Sequence, residues 1–314
     1  MRILLFISFL LLSASAIASH IVGGFIAVSH VKDLQHKVSV SLYHDLLNGN
    51  PAAIDDSIQV AVYTKNKNEI IDFFYLHKVN NNELQYSQTG CAPVNFRTGQ
   101  VLYEKTVNFT DNKYKAAGGY YIVYERCCRN SVITNIGNPR ETGMVFYTAM
   151  PPLNTTSLNS SPAFKQIAGD YLCNDRVYTT DFSATDADGD SLVYRLDDAW
   201  AGYTTEDNPA AFPQIAPYPI VNWSPGYSKN TAIPGPIPLS VDPVLGQLTV
   251  NSSLTGLYVF AVVCEEYRKG LKIGETRREF QFLSRPCLDK PMPQLIVKEK
   301  AKQNKILKNN DTLL

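Results

Sequence analysis

The sequence predicts an all-β protein built from two tandem β-sandwiches. Short runs of β-branched and aromatic residues recur along the 314-residue chain, and glycine, asparagine and proline separate them. No segment shows the sustained 3.6-residue period of an amphipathic helix. A stretch rich in serine, asparagine and proline at residues 153–162 divides the runs into two sets. We therefore expect two domains joined by a linker.

The first sandwich is predicted over residues 19–152, with about seven strands. Residues 38–43 alternate between apolar and polar side chains, as a half-buried strand does. Other strand-like runs of this domain lie at residues 57–65, 101–109, 120–128 and 144–149. The second sandwich is predicted over residues 163–287, with runs at residues 163–167, 176–182, 192–196, 247–250, 258–264 and 276–283.

The chain begins with the pattern of a secretory signal peptide. Arg2 supplies a positive charge, residues 3–12 form an apolar core, and residues 16–18 form a small-residue cleavage site. The apolar core is too short to span a bilayer, and no later stretch reaches that length. The sequence therefore predicts a signal peptide over residues 1–18 and no membrane span. The mature protein is expected to be secreted or held at the cell surface, with periplasmic retention as the alternative.

Charge places limits on the partners of the chain. Acidic and basic residues balance at 29 each, so the composition does not indicate a nucleic-acid partner. Lysines are concentrated near the end, and residues 288–314 are predicted to form a disordered tail.

The six cysteines of an exported chain predict disulfides. Cys173 falls in a turn and Cys287 follows the last strand of the second sandwich. Those two points lie at the same end of the fold, so we expect a bridge between them. Adjacent residues of a strand point to opposite faces. We therefore expect Cys127 or Cys128 to face inward and bridge to Cys91.

Residues 183–194 contain a compact acidic loop in which Asp186, Asp188 and Asp190 alternate around Gly189. Three close carboxylates repel one another, and a hard cation such as calcium relieves that repulsion with oxygen ligands. Glu265 and Glu266, at the end of a late strand, are expected to approach the same rim and complete an oxygen shell, with Glu266 as the candidate ligand. Two interpretations follow: a calcium site, or a solvated acidic turn whose aspartates bond to their own backbone.

A proline-rich insertion interrupts the second sandwich over residues 207–238. Its prolines exclude a central strand and favour extended segments. Aromatic residues are interleaved with the prolines, so the insertion either forms a binding surface or folds back over the sheet and covers it. The candidate binding-surface residues are Phe212, Tyr218, Trp223 and Tyr227.

Two short phrases look like parts of enzymes. Residues 21–24 read Ile-Val-Gly-Gly, like an activated trypsin-like protease, but no serine stands in the context that this chemistry needs. Residues 189–192 match the name motif of a lipase family, yet no histidine follows His77 to activate Ser191. The sequence therefore predicts a protein that is not an enzyme and has no catalytic residues.

Several phrases together resemble the N-terminal region of secreted surface proteins of Bacteroidota, labelled gliding-motility-associated or PKD-domain proteins. They lie at residues 19–24, 124–130, 184–194, 265–270 and 277–282. The resemblance covers residues 19 to about 287, and the acidic loop is similar to those of cadherin-like repeats. It implies a surface location and two immunoglobulin-like or cadherin-like β-sandwiches.

The function expected from these observations is adhesion or recognition by an exported protein, stabilised by calcium. The expected partner is a cell-surface protein or a glycan. A structural subunit or spacer of a cell-surface assembly is the main alternative, and a secreted hydrolase is a distant third.

Overall fold

The structure, a computed structural model, describes residues 21–49, 54–87, 97–109, 114–153 and 158–287, together with two short strands near the end. The all-β class predicted from the sequence is confirmed, because the described residues contain strands and two single-turn 3-10 helices but no α-helix. No helix in these ranges is long and apolar enough to cross a membrane.

The first half of the chain forms seven strands. They are β1 (Ile21–Lys32), β2 (Gln35–Asp45), β3 (Ser57–Thr64), β4 (Ile70–Glu83), β5 (Thr98–Asn108), β6 (Tyr120–Arg126) and β7 (Met144–Met150). The strand-like runs predicted in this half coincide with β2, β3, β5, β6 and β7. β4 was not predicted, because its core holds the unbroken apolar run Phe73–Leu76, which lacks a two-residue alternation.

The second half forms shorter strands and one long hairpin. The strands are β8 (Ala163–Phe164), β9 (Leu172–Cys173), β10 (Val177–Asp181), β11 (Ala184–Thr185), β12 (Ser191–Asp197), β13 (Ile237–Val241), β14 (Gln247–Asn251), β15 (Gly256–Arg268), β16 (Leu271–Arg285), β17 (Leu295–Lys298) and β18 (Asn304–Leu307). β13 lies inside the proline-rich insertion, at the edge of a three-stranded sheet with the order β10, β14, β13.

The main sheet continues from one half of the chain into the other. Its order is β1, β2, β5, β4, β3, β6, β7, β16, β15, β12, and β16 also pairs with β1. The two halves therefore meet along hydrogen-bonded strands as well as through side chains. Two separate tandem sandwiches stay a prediction, since what the structure describes is a sheet shared across the expected boundary.

Close backbone approach explains the Gly-Gly pair of β1. Gly24 lies opposite Glu279 of β16 in the pairing register. A Cβ atom at Gly23 would collide with the carbonyl oxygen of Glu279, and its φ of +156° lies in a region that side chains disfavour. Glycine at this position therefore allows β1 to pass against β16.

Two buried arginines strengthen the same contact. Arg129 forms a bidentate ion pair with Glu279 and donates a 2.9 Å hydrogen bond to the carbonyl of Trp200. Arg278 donates to the Tyr43 hydroxyl at 2.6 Å, and its guanidinium lies 4.3 Å from the centroid of Phe182. Because such pairs cost much to leave unpaired, they favour one relative placement of the two halves.

Of the four hydrophobic clusters among the described residues, the largest two are a core within the first half and a core that both halves share. The first core holds inward side chains of β1 to β7, among them Val40, Val60 and Ile122. The second core combines Phe25 and Tyr43 from the first half with residues of β14, β15 and β16. Burial of both cores supplies the main hydrophobic stabilisation of the fold.

Candidate metal centre

The acidic loop lies between β11 and β12 and is closed by its first aspartate. Asp186 Oδ1 accepts hydrogen bonds from the backbone N–H groups of Asp188 and Asp190, each at 2.9 Å. Gly189 has a φ of +79°, which only glycine adopts readily. The turn bonds pull the three aspartates together, so that their ligand oxygens all lie within 4.8 Å of one another.

Glu266 reaches this cluster from β15, where it pairs with Leu192 at the start of β12. Its side chain is fully buried, and both carboxylate oxygens lack a hydrogen-bond partner among the described residues. Burial is the main cause that raises the pKa of Glu266; Asn159 opposes it, Asp186 and Asp190 add to it, and the resulting pKa is about 8. Glu265 turns the other way and bonds to Arg195 and Lys272.

The other carboxylates respond to their surroundings in different ways. Burial raises the pKa of Asp186, whose buried Oδ2 has no partner in the described structure. The pKa of Asp190 is lowered, first by its hydrogen bonds with Arg268. Arg268 Nε lies 2.8 Å from Asp190 Oδ1, and its Nη2 lies 2.5 Å from Oδ2. The three aspartates outnumber the one guanidinium of Arg268, which leaves an excess of negative charge even while Glu266 is protonated.

The site lies where the linker meets β1. Arg268 Nη2 donates to Asn159 Oδ1 at 2.7 Å, and the backbone N–H of Ser160 donates to Asp188 Oδ2 at 2.5 Å. Ser160 Oγ in turn accepts from the backbone N–H of His30 at 3.1 Å, and Ser161 Oγ accepts from Val28 at 2.9 Å. The acidic loop is therefore joined to the first half of the chain through residues 158–161.

These contacts bear on the two interpretations of the loop. The turn hydrogen bonds account for Asp186 Oδ1, as an acidic turn requires. They leave Asp186 Oδ2 and both oxygens of Glu266 without partners, although buried polar atoms are normally satisfied. An all-oxygen set of this kind fits a hard divalent cation. Asp186, Asp188 and Asp190 bring one carboxylate oxygen each close enough to hold it, and Glu266, the fourth expected ligand, lies beside this group but is not part of it.

The linker is buried where it meets the acidic loop. A stretch rich in serine and asparagine is typical of an exposed tether, yet Asn159, Ser160 and Ser161 are almost fully buried. Their polar groups bond to the backbone of β1 and to the acidic loop instead of to water. Asn159, Ser160 and Arg268 are the members of this site that sequence reasoning missed.

The structure contains two disulfides among the described residues, and one of them is the pair expected from the sequence. The structure joins Cys173 to Cys287, the pair expected there, with their Cα atoms 5.2 Å apart. The parallel pairing of β9 with β16 brings them together. Cys127 and Cys128 are bonded to each other, and the expected bridge from one of them to Cys91 stays a prediction. Both follow the end of β6, so the strand rule does not apply to them, and Cys91 lies outside the described residues.

The four aromatic residues proposed as a binding surface do not form one. Tyr218 is buried, and Phe212 packs beside it against β3, β6 and β7. Trp223 donates to Asp198 Oδ1 at 2.8 Å, and Tyr227 packs against Tyr258. The four rings divide between separate clusters because the proline-rich insertion folds back over the sheet.

Residues 124–130, one of the phrases that carry the family resemblance, contact both the insertion and another of those phrases. Glu125 accepts the backbone N–H groups of Tyr203 and Gln214 from the insertion, at 2.6 and 2.7 Å. Its neighbour Arg129 pairs with Glu279, from a phrase 150 residues away. Comparison of the chain with protein-family models, curated proteins and solved structures finds no match.

Proposed function

We propose that this chain is a non-enzymatic, exported protein that acts in adhesion or recognition and is stabilised by calcium. The observation that carries the proposal is Glu266, a fully buried carboxylate without a hydrogen-bond partner beside three clustered aspartates. Calcium accepts six to eight oxygen ligands and tolerates irregular geometry, which suits a site assembled from a loop and a strand. The bound cation would compensate the excess charge and hold the linker against β1.

Export is supported by the two disulfides, which persist in oxidising compartments. The proposed location is outside the cytoplasm, secreted or at the cell surface. The finer architecture of immunoglobulin-like and cadherin-like sandwiches belongs to the same proposal, as does membership of the Bacteroidota surface-protein family. A cell-surface protein or a glycan is the partner that this function requires.

The calcium part of the proposal is tested by thermal unfolding of the mature chain with chelator and with millimolar calcium. Calcium is expected to raise the melting temperature, because a ligand that binds only the folded state stabilises it by mass action. Asp188→Ala should abolish the rise. Asp242→Ala is the matched control, since Asp242 closes a similar turn through Val244 and Leu245 without neighbouring carboxylates. Identical melting curves in both buffers would reject the calcium site.

The adhesion part needs its own measurement. Beads coated with the mature chain are expected to adhere to cells in calcium and to detach in chelator. A spacer or structural subunit is the second candidate, favoured by the sheet that runs unbroken between the halves. Beads that never adhere, together with a calcium-dependent melting temperature, would favour the spacer.

A further inference from the structure

One face of the main sheet is covered by a segment of the chain itself, which shows how this face can bind a peptide. Residues 199–219 lie over the outer face of β3, β6 and β7, where Tyr63, Tyr121 and Tyr147 contribute their rings. The Tyr63 hydroxyl donates to the carbonyl of Pro213 at 2.5 Å. The Tyr121 hydroxyl accepts from the backbone N–H of Ala216 at 3.1 Å. Tyrosine rings and hydroxyls thus hold a proline-containing segment that bends at the cis Ala216–Pro217 peptide bond.

This cover stops at β4, although the same face continues. Phe73 lies opposite Ala61 of the covered face in the β3–β4 register, and its ring contacts Phe212 at the edge of the cover, at 5.7 Å. Phe73 is 53% exposed, and Tyr75, two residues further along β4, is 49% exposed. Tyr75 makes no hydrogen bond within the described part of the chain.

The surroundings of these two rings carry little net charge. Gln59 lies opposite Tyr75, and His77 lies opposite Ser57 on one side and Glu104 on the other. Glu104 is already paired with Lys37 at 3.0 Å. Nothing in this patch attracts a strongly charged ligand, so its partner is selected by ring stacking and by hydrogen bonds with Tyr75.

We propose that Phe73 and Tyr75 bind a proline-containing segment of a partner protein, which lies beside the insertion on the same sheet face. Proline fixes one backbone dihedral, so a proline-containing chain loses less entropy on binding, and its carbonyl groups accept hydrogen bonds from tyrosine as Pro213 does from Tyr63. The interface is continuous with the one that the insertion already forms. This proposal rests on the recognition function, but it shares no residue with the cation site.

The test uses a fluorescent synthetic peptide with the sequence of residues 207–219, which holds four prolines, titrated with the full mature chain. Fluorescence anisotropy is expected to report saturable binding. Tyr75→Ser should weaken it about tenfold or more, as loss of an interface tyrosine does. Val177→Ser, at an exposed position of β10 in another sheet, should leave it unchanged. A peptide with all four prolines replaced by alanine should bind much more weakly.

Phe73→Ser provides a second reading if Tyr75→Ser folds poorly. Equal binding by wild type and both serine variants would overturn the proposal, as would an absence of peptide binding. Binding of a β-linked hexose oligosaccharide that Tyr75→Ser abolishes, with no peptide binding, would overturn it in favour of a glycan. A calcium-induced rise in melting temperature without peptide binding would overturn the peptide proposal and support the proposed calcium site.

Discussion

Besides the pairing of β16 with β1 and β7, two regions of contrasting chemistry join the second half of the chain to the first. Residues 158–161 bond to β1 and to the acidic loop through serine hydroxyls, backbone amides and an aspartate carboxylate. Residues 199–219 cover β3, β6 and β7 mainly with aromatic rings. The first contact depends on charge, so its strength should vary with cations and pH. The second depends mainly on apolar burial and should not vary with calcium. Its pH-sensitive part is Glu125, whose pKa burial raises and which accepts backbone N–H groups from Tyr203 and Gln214.

The largest expected effect tests the aromatic contact. Tyr218→Ala removes a buried ring that lies 5.2 Å from Trp200 and a hydroxyl that donates to the carbonyl of Gln214 at 2.8 Å. The free energy of unfolding should fall by about 3–5 kcal/mol, as for other buried aromatic truncations. Urea unfolding should give the same loss in calcium and in chelator.

Tyr203→Ala is the control for that measurement, because Tyr203 belongs to the same segment but is half exposed. It should cost less than about 1 kcal/mol. A loss for Tyr218→Ala that differs markedly between the two buffers would show that the aromatic contact and the acidic junction act as one unit.

The next effect concerns pH at the acidic junction. The folded-state pKa of Glu266 is about 8, above its ordinary value of 4.5. Its contribution to stability is therefore complete below about pH 4.5 and is lost as the pH rises through 8. In chelator, the free energy of unfolding should fall by on the order of 3 kcal/mol between pH 5 and pH 8. Glu266→Gln should flatten this slope, because the amide cannot ionise.

Glu266→Gln should also weaken the calcium-induced rise in melting temperature. Wild type and variant compared by urea unfolding at several pH values provide the measurement. If the free energy of unfolding depends on pH equally in both proteins, Glu266 does not control that dependence. The acidic junction would then not differ from the aromatic contact through the charge of Glu266.

The sequence could predict much of this molecule where the pattern is local. The acidic loop was recognised from Asp186, Asp188 and Asp190 because the turn that gathers them spans only five residues. Strands such as β2 were recognised because polar and apolar residues alternate along them. In both cases, neighbours in the chain are neighbours in space.

The shared sheet could not be predicted, because it depends on contacts between distant strands. Gly24 and Glu279 pair although 255 positions separate them, and the local sequence around either residue does not indicate its partner. The burial of the linker could not be predicted for a related reason. Ser160 and Ser161 are typical of solvent-exposed loops, and only the backbone of β1 shows that their hydroxyls have partners.

A smaller effect on stability distinguishes charge compensation by the cation from charge compensation by the guanidinium of Arg268. Arg268→Gln removes the only positive group bonded to Asp190 among the described residues. In chelator, the free energy of unfolding should fall by about 2 kcal/mol, the size of charged hydrogen bonds. In calcium, the loss should be smaller, because the cation would take over charge compensation, and calcium affinity should rise. Isothermal titration and urea unfolding measure the two quantities.

Arg140→Gln is the matched control, since Arg140 forms an exposed ion pair with Glu206 at 2.7 Å. Exposed pairs contribute little, so this change should alter neither stability nor calcium affinity by a measurable amount. If Arg268→Gln costs as much in calcium as in chelator, the guanidinium and the cation do not substitute for one another.

The smallest expected effect tests whether the linker and the acidic loop act together. Ser161→Ala removes the acceptor for the buried backbone N–H of Val28 and should cost about 1 kcal/mol. If the junction is one unit, the cost should differ between calcium and chelator, since the cation would hold the neighbouring Ser160 against the loop. Urea unfolding of both proteins in both buffers gives this coupling as a double difference. Costs that agree within about 0.3 kcal/mol would mean that the sites add independently. The linker would then be held by β1 alone, and its contact with the acidic loop would not transmit calcium binding to the first half.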